Sequence, residues 1–224
     1  MSITHRVVFA LTAVSAAVII QSNSAVAAPA PLVDPAGPIS APPVALEAHS
    51  TPLAPPLPDP YADGALPLVI PHGVEGRQQH FTPSSEQWDN ARVIVEVVRR
   101  RGLPVYAAVV SLATALQEST LRNFTVAVDH DSLGLFQQRP SAGWGAPEQV
   151  TDPWYATGKF LDALLFRAPD YLDRPLWQSA QDAQRSAFPT LYAQWQEQAA
   201  QMALWILRET ANNRTVRIQA QPVR

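Results

Sequence analysis

The chain contains no cysteine. That single absence removes thiol nucleophiles, thiolate metal sites and disulfides, so whatever folds here rests on its hydrophobic core. Histidine is scarce: His5, His49, His72, His80 and His130 are the full set, and no two have metal-ligand spacing. There is no H-E-x-x-H, no phosphate-binding glycine loop and no G-x-S-x-G nucleophile elbow. Asp129-His130-Asp131 offers oxygen and nitrogen donors, but adjacent residues rarely converge on one ion, and a solvated turn is the plainer reading. Basic residues are not in surplus: 16 Lys and Arg stand against 19 Asp and Glu, a formal net charge of −3. That balance argues against a nucleic-acid surface. No metal and no cofactor are expected. Period-2 alternation supports nothing beyond a short hairpin, and no internal repeat is visible.

What is present is unevenly distributed. Of the 22 prolines, 13 fall between Pro29 and Pro71. Proline lacks the amide donor and fixes φ, so that stretch reads as a disordered, PPII-leaning Pro/Ala-rich spacer over 28–77. Ahead of it lies a basic start with Arg6, an apolar run from Val7 to Ile20 and Ala25-Val26-Ala27. This is the order of a secretory signal over 1–27, cleaved near Ala27. The apolar run is roughly 14 residues against about 20 for a bilayer span. Cleavage is therefore favoured over a retained anchor, and the product is placed outside the cell or in its envelope. The foldable part is 78–212, long enough for one sizeable core, with a flexible tail over 213–224.

Helical signals fill that part. Ser84 or Ser85 caps a first helix, with Gln87 completing a capping box. Its apolar face carries Trp88, Ala91, Ile94, Val95 and Val98, and Gly102 stops it after three arginines. A second helix from Pro104 to Ser119 is apolar on every side, which makes it a buried one. From Thr120 to Val150 the chain is irregular, and a stretch of that length inside a compact domain is more often functional than filler. Asp152-Pro153 opens a further helix with Phe160, Leu161, Leu164 and Leu165 facing inward. Others run from Leu176 to Ala187 and from Thr190 to Thr210. The fold class expected is mainly α.

One charged group stands out. Glu118 lies at the end of the buried helix, a costly place for a charge. Desolvation there raises the carboxyl pKa, and a carboxyl protonated near neutral pH acts as a general acid. Cleavage of a glycosidic bond needs such an acid at the departing oxygen. The competing reading is an ordinary acid at a helix end, exposed or paired with Arg122.

Ala115-Leu-Gln-Glu118-Ser119, followed by Ser132-Leu-Gly134-Leu-Phe-Gln137-Gln-Arg-Pro140, resembles the soluble lytic transglycosylase family of the lysozyme-like superfamily. Asp152-Pro153 through Ala156, Gly158 and Leu161 is similar to the helix that follows in that family. The likeness covers roughly residues 85–210. It implies a lysozyme-like helical domain acting on the peptidoglycan glycan strand, at the bond between N-acetylmuramic acid and N-acetylglucosamine. Carried over by position, Glu118 is the single catalytic acid and Ser119 its structural neighbour. Ser132, Phe136 and Gln137 line the sugar cleft. The family's later Ala-Tyr-Asn-Ala-Gly segment departs here: Arg185 and Ser186 occupy the tyrosine and asparagine positions. An Arg185–Glu118 ion pair would lower the acid's pKa and weaken it.

Other candidates are Trp144, in a glycine-flanked loop, for stacking on a sugar ring or for plugging the core, and Asp129 and Asp131 for the second carboxylate that a hydrolase requires. The expected partner is the glycan strand, bound by a monomer. Two rival readings remain: a non-catalytic wall-binding or scaffold module, and a secreted adaptor for another wall enzyme.

Overall fold

The computed structural model describes residues 66–127 and 129–219, with side chains over 68–127 and 129–213. The signal pattern, most of the spacer and the last five residues lie outside that range.

The described residues are mainly α-helical. They form α1 Leu66–Val69, α2 Ser85–Arg100, α3 Val105–Ser119, α4 Pro147–Val150, α5 Pro153–Arg167, α6 Leu176–Gln184 and α7 Gln196–Gln219, with a 3-10 segment Pro189–Trp195 leading into α7. Among the described residues there is no extended strand. Two isolated bridges, Phe124 with Gly134 and Leu133 with Gln138, make a minimal hairpin between α3 and α4.

The caps form as the residues dictate. Ser84 Oγ accepts the Gln87 amide at 3.3 Å while Gln87 Oε1 accepts the Ser84 amide at 2.7 Å, the reciprocal capping box. Asp152 accepts the Trp154 amide at 2.9 Å and Pro153 opens α5. At the other end of α2, Arg99 and Arg100 both reach Glu96 and hold its carboxyl down to about 2.

Helix α3 is the axis of the domain. Every residue from Tyr106 to Leu116 is buried, and α2, α5, α6, α7 and the 3-10 segment all pack on it. Its two internal hydroxyls are satisfied within the helix: Ser111 donates to the Ala107 carbonyl and Thr114 to that of Val110. Phe136 stacks on Phe160 with ring centroids 4.9 Å apart, joining the hairpin loop to α5.

Three expected boundaries move, and one side chain turns outward. Val69 and Ile70 are buried in the core, so packing begins ahead of position 78, where proline content alone would put it. Residues 73–81 are then tied along the 3-10 segment and α7 by glutamines that imitate a neighbouring strand. Gln196 accepts the Glu75 amide and donates to the Gly73 carbonyl, and Gln198 does both for Phe81. Leu165 turns outward on α5, because Leu161 and Leu164 already fill the inward face. Helix α6 ends at Gln184 rather than Ala187, and α7 runs on to Gln219, so the segment from 213 to 219 is helical.

Gly134 sits at φ +72° with its α-carbon hard against α4; a β-carbon there would stand 2.0 Å from the Val150 carbonyl oxygen. Neither the backbone angle nor the space tolerates a side chain. Gly134→Ala is expected to lower unfolding free energy by about 2–4 kcal/mol in urea titration, through overpacking and left-handed strain together.

Candidate active site

The end of α3 is unusual in its backbone. Thr120 and Leu121 both adopt positive φ, at 53° and 61°. For a β-branched threonine this is a costly geometry, retained only where surroundings enforce it. The enforcement comes from α2: Gln87 Nε2 donates to the Thr120 carbonyl at 2.7 Å and Asn90 Nδ2 to the Leu121 carbonyl at 2.9 Å. Ser119 Oγ donates to the Leu135 carbonyl at 2.7 Å and anchors the hairpin loop to the same turn. Gln137 and Arg185 also have positive φ, at 46° and 60°. Strained residues therefore gather from three separate segments around one helix end.

Glu118 sits at the centre of that gathering. Tyr192, from the 3-10 segment, donates its hydroxyl to Glu118 Oε1 at 2.6 Å. The Gln184 amide donates to the Phe136 carbonyl at 2.7 Å and lies close enough to Glu118 to favour its charged form. No described cation pairs with Glu118. Burial pushes its carboxyl above the ordinary glutamate value, and the Tyr192 and Gln184 hydrogen bonds offset this only in part. The phenol's proton is held tightly, raised by burial first and by the neighbouring Glu118 charge second, so Tyr192 remains the donor. The residue still keeps part of its surface open. An acid that is desolvated, held only by neutral donors and partly accessible is suited to giving up a proton and taking one back.

The remaining candidates separate. Phe136 is fully buried against Phe160 and belongs to the core, so it does not face a ligand. Ser132 is buried, its amide bonded to the Asp129 carbonyl inside the loop. Gln137 is partly buried and donates to the Gly134 carbonyl at 3.1 Å. Ser186 reaches the site through the Tyr192 hydroxyl. The expected Arg185–Glu118 pair is absent: Arg185 is exposed as the left-handed cap of α6, and its neighbour Gln184 takes the place beside the acid. Arg122 is likewise exposed and does not pair with Glu118.

Asp131 is a loop brace. It accepts Arg139 Nε at 2.7 Å and both the amide and hydroxyl of Ser141, and these bonds hold its carboxyl well below the usual range. Asp129 is exposed and bonded to His130 at 2.7 Å. Trp144 is partly buried with the Arg167 guanidinium 5.5 Å above its ring, so one ring face is covered. Among the described residues no group of three or more His, Asp or Glu side chains is arranged to hold a metal.

Tyr192 and Gln184 escape sequence reasoning. The family tyrosine is sought at position 185, whereas the tyrosine that meets the acid lies seven residues later in a 3-10 segment with no periodic signature. Compared with known proteins, the chain matches no family model, and no curated protein matches it.

A raised folded-state pKa means that the folded protein binds the Glu118 proton more tightly than the unfolded chain does. Folding stability therefore falls as pH climbs from the ordinary value of 4.5 through the raised one. Glu118→Gln is accordingly expected to raise the melting temperature at pH 7–8. The gain should shrink toward zero as calorimetric scans are taken below pH 4.

Proposed function

We propose that the domain is an exported lysozyme-like enzyme that cleaves peptidoglycan glycan strands between N-acetylmuramic acid and N-acetylglucosamine. The observation that carries this reading is Glu118: a desolvated carboxyl at the end of a buried helix, bonded to the Tyr192 hydroxyl and paired with no described cation. The resemblance of residues 85–210 to lytic transglycosylases and the secretory pattern over 1–27 support the substrate and the compartment.

In this mechanism the protonated Glu118 gives its proton to the glycosidic oxygen as the bond to the muramyl C1 breaks. The glucosaminyl unit departs as an alcohol. The resulting carboxylate then takes the proton of the muramyl C6 hydroxyl, whose oxygen closes on C1. The products are a free GlcNAc end and a 1,6-anhydromuramyl end, and the acid regains its proton. No second carboxylate takes part. That economy fits a site where Asp131 is committed to Arg139 and Ser141. Tyr192 donates to the carboxylate formed midway and keeps it aimed.

Incubation of the full chain with purified peptidoglycan should release soluble fragments whose ends are one water lighter than hydrolysed ends by mass spectrometry. Glu118→Gln should reduce release by about 10²–10⁴-fold. Tyr192→Phe removes a donor to the charged form, so the limb of the pH–rate profile that reports Glu118 should move to higher pH. Fragments of hydrolytic mass would reassign the reaction to a muramidase. Wall binding with no fragments from the parent chain would indicate a non-catalytic module.

A further inference from the structure

The polar side chains near the end of α3 bond in two ways. Ser111, Thr114 and Ser119 each donate to a carbonyl four residues back on the same helix. Gln117 bonds away from it: its Oε1 accepts Gln194 Nε2 at 2.7 Å and Trp195 Nε1 at 3.0 Å. Both donors belong to the 3-10 segment Pro189–Trp195, which also carries Tyr192. Consecutive residues of an α-helix project about 100° apart, so Gln117 and Glu118 are two neighbouring anchor points at the end of α3. Residues three apart on a 3-10 helix eclipse, so Tyr192 and Trp195 share the face that meets those anchors. Runs of 3-10 helix beyond about four residues are uncommon, because their hydrogen-bond geometry is poor. This one has 7 residues, and other segments hold it. Gln78 Nε2 donates to the Ala193 carbonyl at 3.0 Å, and the Gln79 amide donates to the Gln194 carbonyl at 2.7 Å. From α3, Gln117 holds the side chains of Gln194 and Trp195.

We infer that Gln117 is a positioning residue: by fixing Gln194 and Trp195 it sets the register of the 3-10 segment, and so delivers the Tyr192 hydroxyl to Glu118 Oε1 at 2.6 Å. A slip of one residue along the segment would turn Tyr192 about 120° away from the acid. An oxygen that accepts two N–H groups in fixed directions resists that slip, because moving away leaves both donors unpaired. An apolar side chain of the same length imposes no such direction. Gln117 acts through Tyr192 and takes no part in the proton transfer itself. This role rests on Glu118 being the reacting acid of the proposed function, but not on which sugar it meets.

The test is a carbon-13 NMR titration of the Glu118 carboxyl in the full chain and its variants. Gln117→Met keeps the length of the side chain and removes the acceptor. Loss of the aimed phenol takes a donor from the charged carboxylate. The Glu118 midpoint should therefore rise by about 0.5 pH unit or more, in the direction expected for Tyr192→Phe. The double variant Gln117→Met/Tyr192→Phe should titrate as Tyr192→Phe does alone, because both changes act through one hydroxyl. Gln194→Met leaves α3 intact and removes one of the two donors, so it should raise the midpoint by less. A midpoint that does not rise in Gln117→Met, or in Gln194→Met should the former not fold, is what a brace that only stabilises the fold would give, and it would overturn the role. So would a rise that adds in full to that of Tyr192→Phe, which would mean that Gln117 acts on Glu118 directly. The expected midpoints in a chain that releases no glycan fragments would refute the cleavage reading and leave the positioning role standing.

Discussion

A carboxyl group at the C-terminal end of an apolar helix is disfavoured twice when ionised: it loses water, and the helix dipole presents its negative pole there. Glu118 accepts both penalties with no cation in compensation. Much of the local structure is arranged around that one group. The turn after it is held in a strained conformation by Gln87 and Asn90, the hairpin loop is pinned by Ser119, and Gln184 connects the loop backbone to the acid. A domain that sought only stability would place an apolar residue at the end of α3. The retained carboxyl is a departure from local consistency of the kind concentrated at functional sites.

The position of Tyr192 depends on a longer chain of contacts. Its 3-10 segment lies under residues 75–81, where Gln78 donates to the Ala193 carbonyl and the Gln79 amide to that of Gln194. Gln194 and Trp195 both donate to Gln117 Oε1, one residue before the acid. The segment that follows the proline-rich spacer is thus coupled, through side-chain amides, to the hydroxyl that aims Glu118. Apolar contact accompanies these bonds: Phe81 meets Trp195 edge-on at 6.0 Å, and Val74 packs against the core that encloses Tyr192.

The regular parts of the fold were legible in the sequence because each had a local physical cause. The Ser84–Gln87 box, the all-apolar α3 and the Asp152-Pro153 start all appear where residue chemistry places them. Glu118 was legible for the same reason, as a charge where none belongs. What escaped was long-range. Val69 and Ile70 sit among prolines and give no periodic signal, yet the core covers them. Gln184 and Tyr192 are 66 and 74 residues from Glu118 and meet it only through tertiary packing. Sequence position alone assigns Phe136 to a cleft, but a phenylalanine at that spot is equally able to fill the space above Phe160, which it does.

The central claim is that Glu118 holds its proton toward neutrality, and side-chain carboxyl carbon-13 NMR measures this residue by residue. In a pH titration of the full chain, with Glu118→Gln used to assign the signal, the account predicts a Glu118 midpoint clearly above the ordinary glutamate value of 4.5. A midpoint at or below that value would contradict it.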